Sequence, residues 1–167
     1  NSRQNRYRYR IFYLDDSGKA EQAQKNLLTL LEKQNAAAVI TLWTPAAEKA
    51  IPLADKFRRL HFTCAFGNGL SDGLYNFNHY LSYHTDKFTD DFRQAAGKLP
   101  ASCSSNLYDA LGLLIFAHEN TPPDWGHSLP SAERVSRSLH KIFNHASASG
   151  QIRIAPNGTV LPAEEQL

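Results

Sequence analysis

A chain of 167 residues has room for one ordinary domain with a packed core and not for two large ones. With 42% apolar and 20% charged residues, its composition excludes a disordered tail, and no apolar run reaches the roughly 18 to 20 residues that span a bilayer. A formal charge of +2 is too mild to argue for nucleic acid as a partner.

The opening NSRQNRYRYR interleaves Tyr7 and Tyr9 with arginines, and reads as a solvated strand start rather than a stacking surface for RNA. Residues 7–14, YRYRIFYL, predict a strand ending in the polar turn Asp15-Asp16-Ser17-Gly18. Ala20, Ala23, Leu27, Leu28, Leu30 and Leu31 mark one face of a helix over 20–34. AAAVITLW is a short apolar run of the kind buried on both faces of a sheet. Thr44-Pro45 opens a second helix, which Pro52 should bend or split. LHFTCAF is another strand, followed by GNGLSDG. The order βαβαβ predicts a parallel, doubly wound sheet.

Further on, LYNFNHYLSY reads as a strand and DKFTDDFRQAAGKL as a helix with Phe88, Phe92, Ala95 and Ala96 on one face. NLYDALGLLIFAHEN is the most apolar helix, and TPPDWGHSLP is a loop. SAERVSRSLHKIFNHA predicts a helix capped by Ser131, with Val135, Leu139 and Phe143 on one side. GQIRIAPNGTVLP predicts a hairpin turning at Asn157-Gly158, both with positive φ. These elements divide the chain into an α/β lobe over 1–120, a linker over 121–130, and a C-terminal helix and hairpin over 131–167. The last piece either packs on the lobe or belongs to a reduced second one.

Adjacent acids at a strand's carboxyl end raise the question of a metal-holding, phosphate-accepting receiver domain. Such a site needs a third carboxylate at a later strand end, and neither ITLWT nor CAF supplies one. Asp15 and Asp16 are better read as the turn and N-cap of the following helix. Cys64 and Cys103 show no zinc spacing, so they are either one disulfide or two buried thiols. Seven histidines form no close ligand pair; His140 and His145 fall on different faces of the predicted helix. That spacing argues against a metal centre, and the absence of a GxSxG, GxGxxG or Walker-type loop argues against an enzyme or a nucleotide cofactor.

Taken in order, the strand with DDSGK, the helix AEQAQKNLLTLLEKQ, AAAVITLWT, PAAEKAIPLADKF and its mid-helix proline resemble the first lobe of type 1 periplasmic binding proteins. These are the solute receptors of branched-chain amino-acid ABC transporters. DKFTDDFRQAAGKLPASCSSNLYDALGLLIFAHEN and GQIRIAPNG resemble that family's late helices and last hairpin. An opening strand before residue 7 and most of a second lobe, between about Tyr83 and Asp86, have no counterpart here.

The resemblance implies a three-layer α/β fold without catalysis, located in the periplasm or outside the cell. It also implies a small polar, amino-acid-like ligand and an ABC-transporter membrane component as partner; since small-molecule sites bury most of their ligand, a homodimer or a missing second lobe is expected to cover it. By position it implies that Thr44 bonds the ligand's carboxylate. Trp43, Cys64, Ala65 and Phe66 complete the strand-end rim, where open α/β sheets bind ligands. Thr41 replaces a glycine common in the family. The alternative expectation is a degenerate domain, its cleft filled by Trp43 and Phe66, that acts as a sensory or interaction scaffold.

Overall fold

The computed structural model describes residues 6–65, 74–77 and 85–163. The predicted strand over 7–14 does not form. An extended segment gains from β-structure only when its N–H and C=O groups find a ladder, and no described strand pairs with this one. Its alternation therefore leaves Ile11 and Tyr13 on the surface, 70% and 83% exposed. What holds the segment is polar: Arg6 N and Tyr7 N donate to the Glu119 carboxylate at 2.8 and 3.1 Å, and the Tyr9 hydroxyl donates to it at 2.9 Å. The rings of Tyr7 and Tyr9 stand edge-on to His118.

The two aspartates make the turn that follows. Asp15 Oδ1 accepts from Ser17 N at 2.8 Å, and Asp16 Oδ1 accepts from Gly18 N at 2.7 Å. Helix α1 (Ala20–Leu28) then starts behind Lys19, not behind an aspartate, and makes no side-chain cap bond. The aspartates are turn formers, and the expected N-cap is not theirs. A π-helical turn, Thr29–Lys33, extends α1 over the predicted length.

Next come β1 (Ala38–Leu42), α2 (Thr44–Phe57), β2 (Leu60–Cys64) and β3 (Leu74–Asn76). The three strands form a parallel sheet in the order β1-β2-β3, with Leu42 opposite Cys64 and Thr63 opposite Asn76. The predicted αβ alternation and parallel sheet are therefore present, starting from a helix instead of a strand. Pro52 neither ends nor splits α2. It lies on the exposed side, where water can satisfy the carbonyl that its missing N–H leaves behind.

Strand alternation sorts the sheet's two faces. Val39 packs with Leu27, Leu31, Ala50 and Ala54 of the α1–α2 layer. Leu60, Phe62 and Tyr75 join the larger core on the other side, with Ala110, Leu113 and Ala117 of α4 (Ser104–Asn120) and Val135 and Leu139 of α5 (Ala132–Leu139). Phe62 and Tyr75 stack there at 4.8 Å. Helices thus cover both faces in three layers. Helix α3 (Asp86–Ala96) buries none of its residues; Thr85 caps it by accepting from Phe88 N, and Gly97 ends it at φ 68°.

The C-terminal region departs from expectation. Helix α5 stops at Leu139, so Phe143 is exposed instead of sharing the buried side. His145 lies in a strand, β4 (His145–Ser147), not on a helix. With β5 (Gly150–Ile154) and β6 (Val160–Pro162), β4 makes an antiparallel sheet in the order β4-β5-β6. The hairpin forms as predicted, but with a longer loop: Ile154 pairs with Val160, and of the Asn157-Gly158 pair only Gly158 has a positive φ. Ile152, Ile154 and Val160 belong to the same core as Phe62. Asp109 ties this sheet to α4: its carboxylate accepts from Ala148 N at 2.7 Å, Ser149 N at 3.1 Å and Ser149 Oγ at 2.7 Å. The stretch 66–73, with Phe66, and most of the predicted strand after Phe77 lie outside the described residues.

Candidate functional site

Because β1, β2 and β3 are parallel, their carboxyl ends share one edge, and the chain leaves each strand there. After β1 it passes directly into α2 through Trp43 and Thr44. Trp43 is the N-cap residue, at φ 71° and ψ 152°, a region almost reserved for glycine, and its indole is 48% exposed. Its carbonyl accepts the first helical bond, from Ala47 N at 3.1 Å, but its side chain has no oxygen to cap the helix. Thr44, at the opening of this helix, is its first helical residue and is partly buried.

After β2, the sequence-predicted contact Cys64 is not a free group. It is bonded to Cys103, which settles the open choice between a disulfide and two thiols. Cys103 is the N-cap residue of α4, at φ 64°. The bridge therefore fastens the start of α4 to the end of β2, beside the start of α2. Ala65 is buried next to it. Of the predicted rim, Trp43 and Thr44 offer accessible surface, Cys64 and Ala65 are buried, and Phe66 lies outside the described residues.

One row below the rim is a polar set that the sequence reading did not assemble. Thr41, Thr63 and Asn76 are cross-strand partners, and all three are buried. Thr41 Oγ1 lies 3.0 Å from Thr63 Oγ1 and 2.7 Å from Nε2 of His61, one pleat further down. Burial pushes the His61 imidazole down to about 4, so it is neutral near pH 7. Asn76 Oδ1 and His61 Nδ1 are buried without a hydrogen-bond partner among the described residues. The signal was present as the period-2 spacing of His61 and Thr63, but a short apolar run was read as uniformly apolar. Among the described residues, no three histidines, cysteines or acids gather as metal ligands, and no helix is long and apolar enough to cross a membrane.

Solved structures provide a comparison for this architecture. The branched-chain amino acid transporter substrate-binding protein LivJ from Streptococcus pneumoniae, solved in complex with isoleucine, superposes with a TM-score of 0.73 at 10% identity, over 89% of this chain and 80% of that one. The leucine-binding protein LivK from Thermotoga maritima aligns at 14% identity over 86% of this chain and 60% of that one, with a TM-score of 0.39. A putative branched-chain amino acid ABC transporter protein from Rhodospirillum rubrum gives 16%, 83% and 43%, also at 0.39. The chain thus spans under two thirds of the latter two proteins, and at those scores they add no weight. The first likeness is one of fold: the α/β architecture is that of the type 1 periplasmic binding proteins. No protein-family model and no curated protein matches the sequence.

Proposed function

We propose that this chain, which carries the type 1 periplasmic binding protein fold, is a non-catalytic solute-binding lobe that takes a small amino-acid-like ligand at the strand-end rim. The observation that carries this reading is Trp43. A tryptophan held in a backbone region that costs of order 1–3 kcal/mol, with half its indole in solvent at the start of a helix, is poor packing and a good platform. Such strain persists where the surroundings enforce it, and it concentrates at ligand sites. The helix start beside it favours a carboxylate, and Thr44 at the first helical position adds a hydroxyl. The indole would lie against the ligand's apolar part.

A rim belonging to one lobe meets a ligand from one side, whereas small-molecule sites bury most of their ligand. Capture therefore requires a cover, either a second lobe or a second copy of the chain closing on the first. The Cys64–Cys103 bridge fits an oxidising compartment, the periplasm or cell exterior. The membrane component of an ABC transporter would be the downstream partner.

The test is a thermal-shift screen with amino acids, short amides, urea and small carboxylates. A ligand that binds only the folded chain raises Tm. A rise with an amino acid that Thr44→Ala removes supports the proposal. No rise with any compound would overturn it and favour a scaffold role.

A further inference from the structure

We infer that a second, separate site lies in the cleft between the end of α4 and α5, and that it binds a small polyvalent oxyanion of the phosphate class. The cleft has a volume of about 250 Å³ and is lined by Asn120, Thr121, Arg134, Arg137, Ser138 and Lys141. Its lining holds three cations and no carboxylate. Arg134 and Arg137, three residues apart, share a side of α5, and Lys141, in the turn after its end, lines the same cleft.

Local partners answer this charge only in part. Arg134 Nη1 donates to Pro123 O at 3.3 Å and lies 3.5 Å from Asp124 Oδ1, a carboxylate that already accepts the Ser131 N–H at 2.6 Å. Glu133 reaches Arg137 at 3.5 Å, both side chains mostly exposed, a geometry of little strength. Lys141 has no ion pair among the described residues.

The helix end facing the cleft is also prepared for an anion. The carbonyls of α4's last turn would repel one, but two of them, and one from the turn before, are already engaged. Asn120 Nδ2 donates to Phe116 O at 2.7 Å, Thr121 Oγ1 to Ala117 O at 2.6 Å, and Thr121 N to His118 O at 3.3 Å. A further hydrogen bond of 2.7 Å joins the Thr121 and Ser138 hydroxyls and fixes the polar wall. Two guanidinium forks and an ammonium suit the several oxygens of a phosphate, which accept paired N–H donors. The volume is below that of usual drug-sized pockets, so the ligand is a phosphate, diphosphate or small phosphate ester.

Isothermal titration of the whole chain with orthophosphate and with pyrophosphate, at constant ionic strength, tests this. Acetate serves as the monovalent control. The expected result is one saturable site for at least one phosphate probe, with acetate at least tenfold weaker. Arg137→Ala and Lys141→Ala each weaken binding at least tenfold, while Lys98→Ala, an exposed lysine elsewhere, leaves it unchanged. Absence of saturable binding to both phosphates overturns the site, as does full affinity in the Arg137→Ala/Lys141→Ala double variant. Thr44→Ala should not affect it, so the result is independent of amino-acid capture.

Discussion

Gly158 brings its bare Cα against the main-chain carbonyl of Leu74, so close that a Cβ would overlap the oxygen. The contact joins the two sheets. Asn76 N donates to Gly158 O at 3.2 Å, and Thr159 bridges to Asn76 in parallel fashion. Gly158 also sits at φ 84°, where a side chain costs about 1–2 kcal/mol before any clash. Since the obstacle is backbone, no rotamer change relieves it. Gly158→Ala should destabilise the chain by at least about 2 kcal/mol, read as a lower urea midpoint. A wild-type midpoint would show that the hairpin loop does not dock on β3.

The Cys64–Cys103 bridge closes a loop of 39 residues. Loop-closure entropy assigns such a crosslink about 4 kcal/mol. Reduction, or Cys103→Ser, should lower the urea midpoint by a corresponding amount. A midpoint indifferent to reductant would mean that the bridge does not form in solution.

Those two links show what the sequence could and could not reveal. The parallel core was legible because AAAVITLW and LHFTCAF are short apolar runs on either side of a helical pattern with a proline at its first turn. The strand over 7–14 was misread because alternation states which face is apolar, not whether a neighbour exists to pair with it. The helix over 131–146 was drawn too long because Val135, Leu139 and Phe143 keep a fourfold spacing past the true end at Leu139. Cys64 was named as a ligand contact because its position at a strand end is visible in sequence, whereas its bond to Cys103 depends on a distance in space. The cation cleft escaped notice because its two walls are separate in the chain.

Asp109, in the second turn of the apolar α4, is buried, and its three accepted hydrogen bonds fasten Ala148 and Ser149 to that helix. Removing the acceptor strands the Ala148 N–H in the interior. Asp109→Ala should cost about 2–4 kcal/mol. Hydrogen exchange should locate the loss, with faster exchange at Ala148 and Ser149 than in β1. Unchanged exchange at both amides would discount the clamp.

His61 makes stability depend on pH. Its folded value of about 4 lies below the ordinary 6.5 because burial penalises the charged ring. Between those values the unfolded chain binds the proton and the folded chain does not. Stability should therefore be full above about pH 6.5, fall as pH drops toward 4, and lose roughly 3 kcal/mol across that window. Burial also lowers His118 and His145, which act in the same direction. His61→Asn should flatten most of the slope in urea titrations from pH 7.5 to 4.5. An equally steep slope in the variant would assign the effect to the other two histidines.

Trp43 separates a strained packing residue from a ligand platform, because the two roles predict opposite consequences for one substitution. Glycine occupies φ 71° without a Cβ penalty, so Trp43→Gly relieves strain while discarding an indole that is half in solvent. As a platform, the variant should keep or raise Tm, by roughly 1 kcal/mol of added stability, while its thermal shift with an amino acid disappears. As packing, Tm should fall and any solute response should survive. Fluorescence gives a second readout. Trp125 is 99% exposed, so in a Trp125→Phe background Trp43 is the sole tryptophan. Saturable quenching or a blue shift of its emission on adding leucine, isoleucine or another amino acid would place the ligand against the indole. Emission unmoved by any amino acid that raises Tm would move the site away from Trp43.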